Sequence, residues 1–167
     1  MFRRGDVGPA GGYIFYVSRV PFRCGEDLSE LCHHLEAAPF EDEAERSWSV
    51  EADASLSGSV AAGTGIGAGH ANTAKIVSRG TADPSTSAVA YADAYEHNGF
   101  TDWYLPSLDE SHEMTIAREL IGGFTFGVYW TSTERDGGRA WYQHFMNSFQ
   151  FPEPKAAVYR VRPIRAF

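Results

Sequence analysis

The fold is decided by the stretch Val128-Tyr129-Trp130-Thr131-Ser132-Thr133 and by the run from Ala140 to Met146 that follows it. Both are rich in β-branched and aromatic residues and have the length of strands, and Asp136-Gly137-Gly138 between them is typical of a turn. Residues 158–162 continue the pattern. We therefore expect a β-rich C-terminal third that contains a hairpin.

The rest of the chain predicts a strand at the other end and helices between. The run Tyr13-Ile14-Phe15-Tyr16-Val17 predicts a buried first strand. Helical spacing appears around residues 71–77 and 88–95, and a third helix is expected after Ser107, which forms a capping-box pattern with Glu110. The sequence predicts an α+β fold, with short helices packed on a mainly antiparallel sheet and the first and last strands paired.

Length and composition predict one domain that covers residues 1–167. The chain has 43% hydrophobic and 22% charged residues, which is ordinary for a globular protein, and neither a repeat nor a linker divides it. No run is long and apolar enough for a membrane span, and Met1–Gly5 leads into glycines without the apolar segment of a signal peptide. Such a start also fits a domain of a longer secreted chain or a phage structural protein.

The charge of the chain is unevenly distributed. The formal net charge is −8; residues 1–120 carry 19 acidic and 8 basic side chains, and residues 121–167 carry 3 and 6. The acidity argues against nucleic-acid binding, which needs Lys and Arg to neutralise phosphates. The late basic residues form either an anion-attracting patch or, as we favour, ion pairs with the acidic first part. They are Arg135, Arg139, Lys155, Arg160, Arg162 and Arg165.

Neither the cysteines nor the glycine-rich run predicts a cofactor or a metal. Cys24 and Cys32 enclose a short loop, which favours a local disulfide over two free thiols. Zinc binding with His33 and His34 is disfavoured, because adjacent side chains of a strand point to opposite faces. The run 63–69 has alternate glycines without the spacing of a phosphate-binding loop, so it is interpreted as a flexible lead into a helix.

The order of five segments resembles a known family, the bacterial domain at the C-terminus of collagen-like adhesins. The segments are residues 8–16, Leu35-Glu36-Ala37-Ala38-Pro39, residues 63–73, Asp102-Trp103-Tyr104-Leu105-Pro106-Ser107 with Asp109-Glu110, and residues 129–143 through to 161–167. The resemblance implies a C-type-lectin-like fold, similar to formylglycine-generating enzymes and to receptors diversified by retroelements. It also implies a secreted or surface location, and one branch of the family has a similar cysteine pair.

The resemblance does not extend to the family's chemistry. No cysteine follows Cys32, so the oxidation carried out by formylglycine-generating relatives is not expected. Calcium-dependent sugar binding is not expected either, because Lys155 stands where calcium-binding lectins have an amide and no Trp-Asn-Asp sequence occurs. The chain has no Gly-x-Ser-x-Gly elbow, and its six histidines are scattered. We predict no catalytic residues.

The hairpin over residues 140–152 is the candidate ligand face. A two-residue turn at Asn147-Ser148 would set Met146 opposite Phe149 and His144 opposite Phe151, with Tyr142 on the same side. Trp141, Gln143, Phe145 and Gln150 would form the packed side. The stripe of large apolar side chains is interpreted as a ligand surface, with a subunit contact or a second core face as alternatives.

These patterns predict a non-catalytic adhesin or receptor module on a cell or virion surface, which binds a glycan or a protein. The alternatives are an assembly module, with a homotrimer as the expected oligomer, or a retroelement-diversified receptor. No nucleic acid and no membrane insertion are expected. The predicted ligand-binding residues are Tyr129, Trp130, Arg139, Tyr142, His144, Met146, Asn147, Phe149 and Phe151.

Overall fold

Two sheets and four short helices make up the fold in the computed structural model, which describes residues 1–49, 61–79, 83–124 and 127–167. The strands are β1 (Tyr13–Cys24), β2 (Glu30–Ala37), β3 (Ala44–Ser47), β4 (Val128–Glu134), β5 (Arg139–His144), β6 (Gln150–Pro154), β7 (Val158–Val161) and β8 (Ile164–Ala166). The helices are α1 (Ala68–Val77), α2 (Ala88–Asp93), α3 (Leu108–Ile116) and α4 (Arg118–Ile121), with a 3-10 turn at Phe40–Asp42.

The strands form a three-stranded sheet in the order β1-β2-β8 and a five-stranded sheet in the order β3-β7-β4-β5-β6. Their pairings are antiparallel except for the parallel contact between β4 and β7. This arrangement confirms the predicted α+β class with a mainly antiparallel sheet. No helix within the described ranges has the length and apolarity needed to cross a membrane.

The first and last strands do not pair directly with each other, so this prediction is wrong. β1 and β8 belong to the same sheet, but β2 lies between them and pairs with both, for example through Leu35 and Ala166. β2 takes the central place because a short loop folds it back on β1 as a local hairpin. The termini nevertheless meet, since the rings of Phe2 and Phe167 are 5.7 Å apart.

Both faces of the five-stranded sheet are covered near its centre. Tyr129 and Phe145 belong to a core cluster on one side, together with α3 and α4 residues such as Met114 and Ile121. Trp130 belongs to a second cluster, which includes Trp48 and residues of α1 and α2. A central strand such as β4 is therefore apolar on both sides, as expected for a sheet covered on both faces.

Local signals placed the helices well. α3 begins after Ser107, whose side chain accepts a hydrogen bond from Glu110 N–H while Glu110 binds back to Ser107 N–H, which confirms the capping box. The glycine run leads into α1 as predicted, and Gly67 packs tightly against Arg23. A Cβ atom at Gly67 would lie 1.8 Å from the Arg23 carbonyl oxygen, and its φ is +90°.

Three of the late basic residues pair with carboxylates of the acidic first part, as predicted, and two pair with carboxylates of residues 121–167. Arg160 pairs with Glu43 and Glu45, Arg162 with Glu43, and Arg165 with Glu36 and Asp102. Lys155 pairs with Glu134, and Arg139 with Asp136.

The predicted disulfide between Cys24 and Cys32 is confirmed, with the two Cα atoms 6.0 Å apart. It closes the loop between β1 and β2, and both cysteines are buried. Because the two sulfur atoms are bonded to each other, neither serves as a zinc ligand.

Candidate functional site

The β5–β6 hairpin has a register two residues away from the predicted one. Tyr142 lies opposite Phe151 and Gln143 opposite Gln150, and the backbone N–H of His144 donates to the Phe149 carbonyl at 2.8 Å. The connection is therefore longer than the predicted two-residue turn at Asn147-Ser148. A shift of two residues keeps every side chain on its predicted side, because successive residues of a strand alternate between faces.

Phe145 begins this connection and anchors it in the core. Its ring stacks on Phe124 with centroids 4.3 Å apart and contacts Tyr129 at 4.5 Å, and its backbone N–H donates to the Gly127 carbonyl at 3.2 Å. The Asn147 side chain then accepts the Phe149 N–H at 3.0 Å. Asn147 thus shapes the loop. This role is typical of Asn in turns, because its side chain can hydrogen-bond to the backbone two residues on.

The packed side of the hairpin is as predicted for Gln143 and Phe145, which are 0% and 2% exposed. Gln150 donates to the Gln143 side chain at 2.8 Å and to the Leu108 carbonyl at 2.9 Å. These contacts fasten the hairpin to the start of α3, and Trp141 and Gln150 of this side are partly exposed.

The opposite side carries large apolar side chains in solvent. Met146, Phe149 and Phe151 are 56%, 58% and 50% exposed. The rings of Phe149 and Phe151 are 6.0 Å apart in an edge-to-face arrangement, and Phe151 lies 6.2 Å from Tyr142. His144 is half-buried, and its Nδ1 accepts the Met146 N–H at 3.2 Å.

The row of rings continues onto β7, a strand that the sequence predicted but did not assign to the ligand face. Tyr159 of β7 lies 5.5 Å from Tyr142 and 4.9 Å from Trp130. We name Tyr142, Phe149, Phe151, Glu153 and Tyr159 the aromatic face. Tyr159 was missed because β7 lies two strands from β5, and this strand order leaves no local signal in the sequence.

Two predicted ligand residues lie in the core instead of on the surface. Tyr129 and Trp130 are 1% and 0% exposed, because β4 is the central strand of the sheet. The Tyr129 hydroxyl donates to Glu43, and the Trp130 ring nitrogen donates to the Arg46 carbonyl at 3.1 Å. Trp130 supports the aromatic face from beneath, whereas Tyr129 packs on the opposite side of the sheet, and neither is accessible to a ligand.

Arg139 also lies away from the aromatic face. Its guanidinium makes two hydrogen bonds to Oδ2 of Asp136, at 2.9 and 2.7 Å, within the turn between β4 and β5. By the alternation of side chains, Arg139 points to the side of β5 opposite Tyr142. Arg139 therefore does not belong to the aromatic face, because it binds Asp136 and its side chain points to the other side of β5.

Glu153 gives the aromatic face a negative charge. It follows Phe151 by two residues on β6, so it lies on the same side, and it is opposite Ala140. Burial raises the pKa of Tyr142, and the Glu153 carboxylate raises it further. Tyr159 shows the same effect: burial raises its pKa first, then Glu153, and then Tyr142. Both hydroxyls are thus within electrostatic reach of one carboxylate.

The free edge of β6 is unsuited to pairing with another strand. The bonds from His144 N–H to Phe149 and from Lys155 N–H to Gly138 show that residues 149, 151, 153 and 155 direct their backbone groups toward β5. The outward positions include Pro152 and Pro154, which have no N–H. Prolines at the outward positions of an edge strand block strand addition.

A separate, acidic cavity of about 540 Å³ lies beside the disulfide loop. Its carboxylates come from that loop, from the end of α2 and from the segment before Trp103. They are Glu26, Asp27, Glu30, Asp93 and Asp102, and His70 lies among them. Burial raises the pKa of Asp93, and Glu26 adds to the effect. Asp102 is already bound by Arg165 through two hydrogen bonds of 2.8 Å.

Comparisons with known proteins show a similarity in fold alone. No protein-family model matches the sequence, and no curated protein matches it. Among solved structures, it is similar to a fimbrial protein from Bacteroides ovatus ATCC 8483, with a TM-score of 0.62 and 15% sequence identity. The match covers 93% of this chain and 44% of the fimbrial protein, so the chain spans less than half of that protein's length. Nearly the whole of this chain is therefore similar in fold to part of a fimbrial protein.

Proposed function

We propose that this protein is a non-catalytic recognition module displayed on a cell or virion surface, and that the aromatic face binds its ligand. The observation that carries the proposal is the row of rings that runs from exposed Phe149 and Phe151 to Tyr142 and Tyr159. Aromatic side chains gathered on an exposed, ordered surface are typical of binding sites, because their burial by a ligand stabilises the complex.

Two further observations support an extracellular location. The Cys24–Cys32 disulfide is typical of proteins from oxidising compartments. A solved structure with a similar fold is a fimbrial protein, which favours a structural or adhesive role over an enzymatic one. The C-type-lectin-like classification and the resemblance to collagen-like adhesin domains belong to this proposal as well.

The hairpin is also held rigidly, which favours binding. Phe145 anchors its tip in the core, and Gln150 ties β6 to the first residue of α3. A surface that is ordered before binding loses little conformational entropy when the ligand arrives. Because Pro152 and Pro154 block strand addition, we expect the flat face of the hairpin, and not its edge, to make the contact.

The test compares two pairs of exposed apolar residues on different sheets. The double variant Phe149→Ser/Phe151→Ser removes the apolar part of the aromatic face. Val20→Ser/Leu31→Ser is the matched control, since Val20 and Leu31 are 73% and 63% exposed on β1 and β2. Labelled wild-type and variant proteins are applied to a printed glycan array and to immobilised extracellular-matrix proteins.

We expect the Phe variant to lose the signal of the wild type and the control pair to keep it. Equal binding by the Phe variant would remove the aromatic face from the proposal. A change from oligomer to monomer in the Phe variant, measured by light scattering, would assign the face to subunit assembly instead.

A further inference from the structure

We infer that the aromatic face accepts a cationic side chain of a protein partner, Lys or Arg, against the rings of Tyr142 and Tyr159 and the carboxylate of Glu153. This inference rests on the proposed function and adds the chemistry of the ligand. Three observations carry it. The carboxylate lies beside the rings, no cation within the described part of the chain pairs with it, and the chain binds its own cations elsewhere with the same groups.

The rings and the carboxylate lie together by strand register. Tyr142 is opposite Phe151, and Glu153 is the next residue along β6 on the same side, so Glu153 is the diagonal neighbour of Tyr142. Tyr159 adds a second hydroxyl-bearing ring, with its centroid 5.5 Å from that of Tyr142 and inclined by 61°. The ring faces carry partial negative charge, so rings and carboxylate attract the same kind of group.

Glu153 has no ion-pair partner among the described residues. The cations that are near it in sequence or across the sheet are committed to other carboxylates. Lys155 binds Glu134, Arg139 binds Asp136, and Arg160 binds Glu43 and Glu45. His144 uses its Nδ1 lone pair to accept the Met146 N–H. Among the residues that the structure describes, no cation pairs with the negative carboxylate of the aromatic face.

Elsewhere, the chain binds its own cations with the same combination of ring and carboxylate. Lys155 Nζ lies 4.6 Å from the centre of the Trp48 ring and 2.7 Å from Glu134. The Arg165 guanidinium lies 4.3 Å from the centre of the Phe100 ring and 2.8 Å from Asp102. Arg162 repeats the pattern with Phe124 at 4.4 Å and Glu43 at 3.5 Å. Tyr142, Tyr159 and Glu153 offer the same chemistry to a cation from outside.

Charge complementarity favours a basic protein segment over a neutral glycan. The protein has a formal net charge of −8, which attracts cationic partners and repels anionic ones. A neutral glycan would gain the stacking contact, and its hydroxyls can also donate to the carboxylate. Binding that depends on the positive charge of the ligand therefore separates the two classes of ligand.

The experiment uses a cationic peptide and its neutral isostere as probes. An acetylated and amidated Gly-Gly-Arg-Gly-Gly peptide is titrated into the whole protein, and its citrulline counterpart is titrated in parallel. Ring signals of Tyr142 and Tyr159 are followed by NMR. The variants are Glu153→Gln, which removes the charge and keeps the shape, and Glu153→Lys, which reverses the charge. Asp93→Asn controls for binding in the acidic cavity.

We expect the Arg peptide to shift the signals of both tyrosines and the citrulline peptide to leave them nearly unchanged. Glu153→Gln should weaken the apparent affinity about tenfold, as expected for the loss of one charge-assisted contact. Glu153→Lys should abolish the shifts, and Asp93→Asn should not affect them. Equal titrations with the two peptides, or equal affinity in wild type and Glu153→Gln, would overturn the inference, as would shifts confined to residues of the acidic cavity.

The surface-binding assay distinguishes this inference from the proposed function. If Phe149→Ser/Phe151→Ser loses binding on the array while Glu153→Gln keeps it, the aromatic face binds its ligand without a cation and only the inference fails. If both variants bind as the wild type does, the proposed function fails too. Loss of binding to immobilised protein in both variants supports the inference and the function together.

Discussion

Lys155 holds its ammonium nitrogen 2.7 Å from Oε1 of Glu134, and both side chains are almost completely removed from solvent. Arg79 binds the same carboxylate at 3.1 and 3.2 Å. Burial on its own would raise the pKa of Glu134, but the hydrogen bonds from Lys155 and Arg79 outweigh it and hold the pKa below its usual value. The carboxylate joins the end of β4 to the turn after β6.

We expect Lys155→Met to lower the free energy of unfolding by about 3 kcal/mol, because it leaves a buried carboxylate without one of its partners. Urea unfolding measures the loss. Arg139→Met is the matched control, because it breaks an ion pair that is half in solvent and should leave the midpoint almost unchanged. A loss as small as that of the control would show that Arg79 alone suffices for Glu134.

The ion pair of Lys155 and Glu134 should make the stability of the protein depend on pH. A carboxyl group whose pKa is lowered by folding stabilises the protein at pH values above its unfolded pKa. This contribution is lost as the pH falls through the lower, folded pKa of Glu134. The difference in unfolding free energy between the wild type and Lys155→Met should therefore shrink as the pH is lowered from 7 to below about 4. A difference that stays constant over that range would contradict the assignment of the lowered pKa to Lys155.

Alanine substitutions at the nearby glycines Gly65 and Gly67 should differ sharply in their effect on stability. Gly67→Ala places a Cβ atom 1.8 Å from the Arg23 carbonyl oxygen at a φ of +90°, whereas a Cβ at Gly65 meets nothing within 4 Å. We expect Gly67→Ala to destabilise the fold by about 3 kcal/mol through strain and overpacking. Gly65→Ala should change stability by less than about 1 kcal/mol. Thermal unfolding of the two variants, side by side, gives the comparison, and similar melting temperatures would contradict it.

Features that depend on neighbouring residues were predictable from the sequence, and features that depend on strand order were not. The Ser107–Glu110 cap, the Cys24–Cys32 bridge and the alternation that sends Gln143 inward are all set within a few residues. In contrast, Trp130 is buried because Trp48 and residues of α1 and α2 pack over it, and these segments are distant from β4 in the chain. The sequence of β4 alone does not tell a central strand from an edge strand.

In the candidate site too, the side on which a residue lies was predictable, whereas the strand register and strand order were not. Exposure of Phe149 and Phe151 followed from alternation, even though the predicted register of the hairpin was wrong by two residues. The pattern of the sequence did not decide between the two registers, because both keep Gln143 and Phe145 on the packed side. Tyr159 belongs to the aromatic face because β7 pairs in parallel with β4, and no local sequence pattern predicts this pairing.

The disulfide should stabilise the fold without being required for it. Cys24 and Cys32 are separated by eight positions, and closing so short a loop contributes about 2 to 3 kcal/mol by restricting the unfolded chain. We expect Cys24→Ala/Cys32→Ala to melt at a lower temperature and to keep the circular dichroism spectrum of the wild type. Alkylation without a reductant should add no mass to the native wild-type protein. Two alkylated thiols in protein purified under oxidising conditions would rule out the bond.

Phe145 and Phe149 lie only four residues apart, and their substitutions should have opposite consequences. Phe145 is 2% exposed and fills the space between Phe124 and Tyr129, so Phe145→Ala should cost about 3 to 5 kcal/mol through lost burial and the cavity it leaves. Phe149 is 58% exposed, so Phe149→Ala should change the free energy of unfolding by about 0.5 kcal/mol or less. Urea unfolding at neutral pH measures both. Light scattering on the same samples then tests whether Phe149 is covered in an oligomer, because a subunit contact would make the mass of Phe149→Ala fall. A large loss of stability in monomeric Phe149→Ala would mean that this ring belongs to the core, and the aromatic face would then have to be redrawn without it.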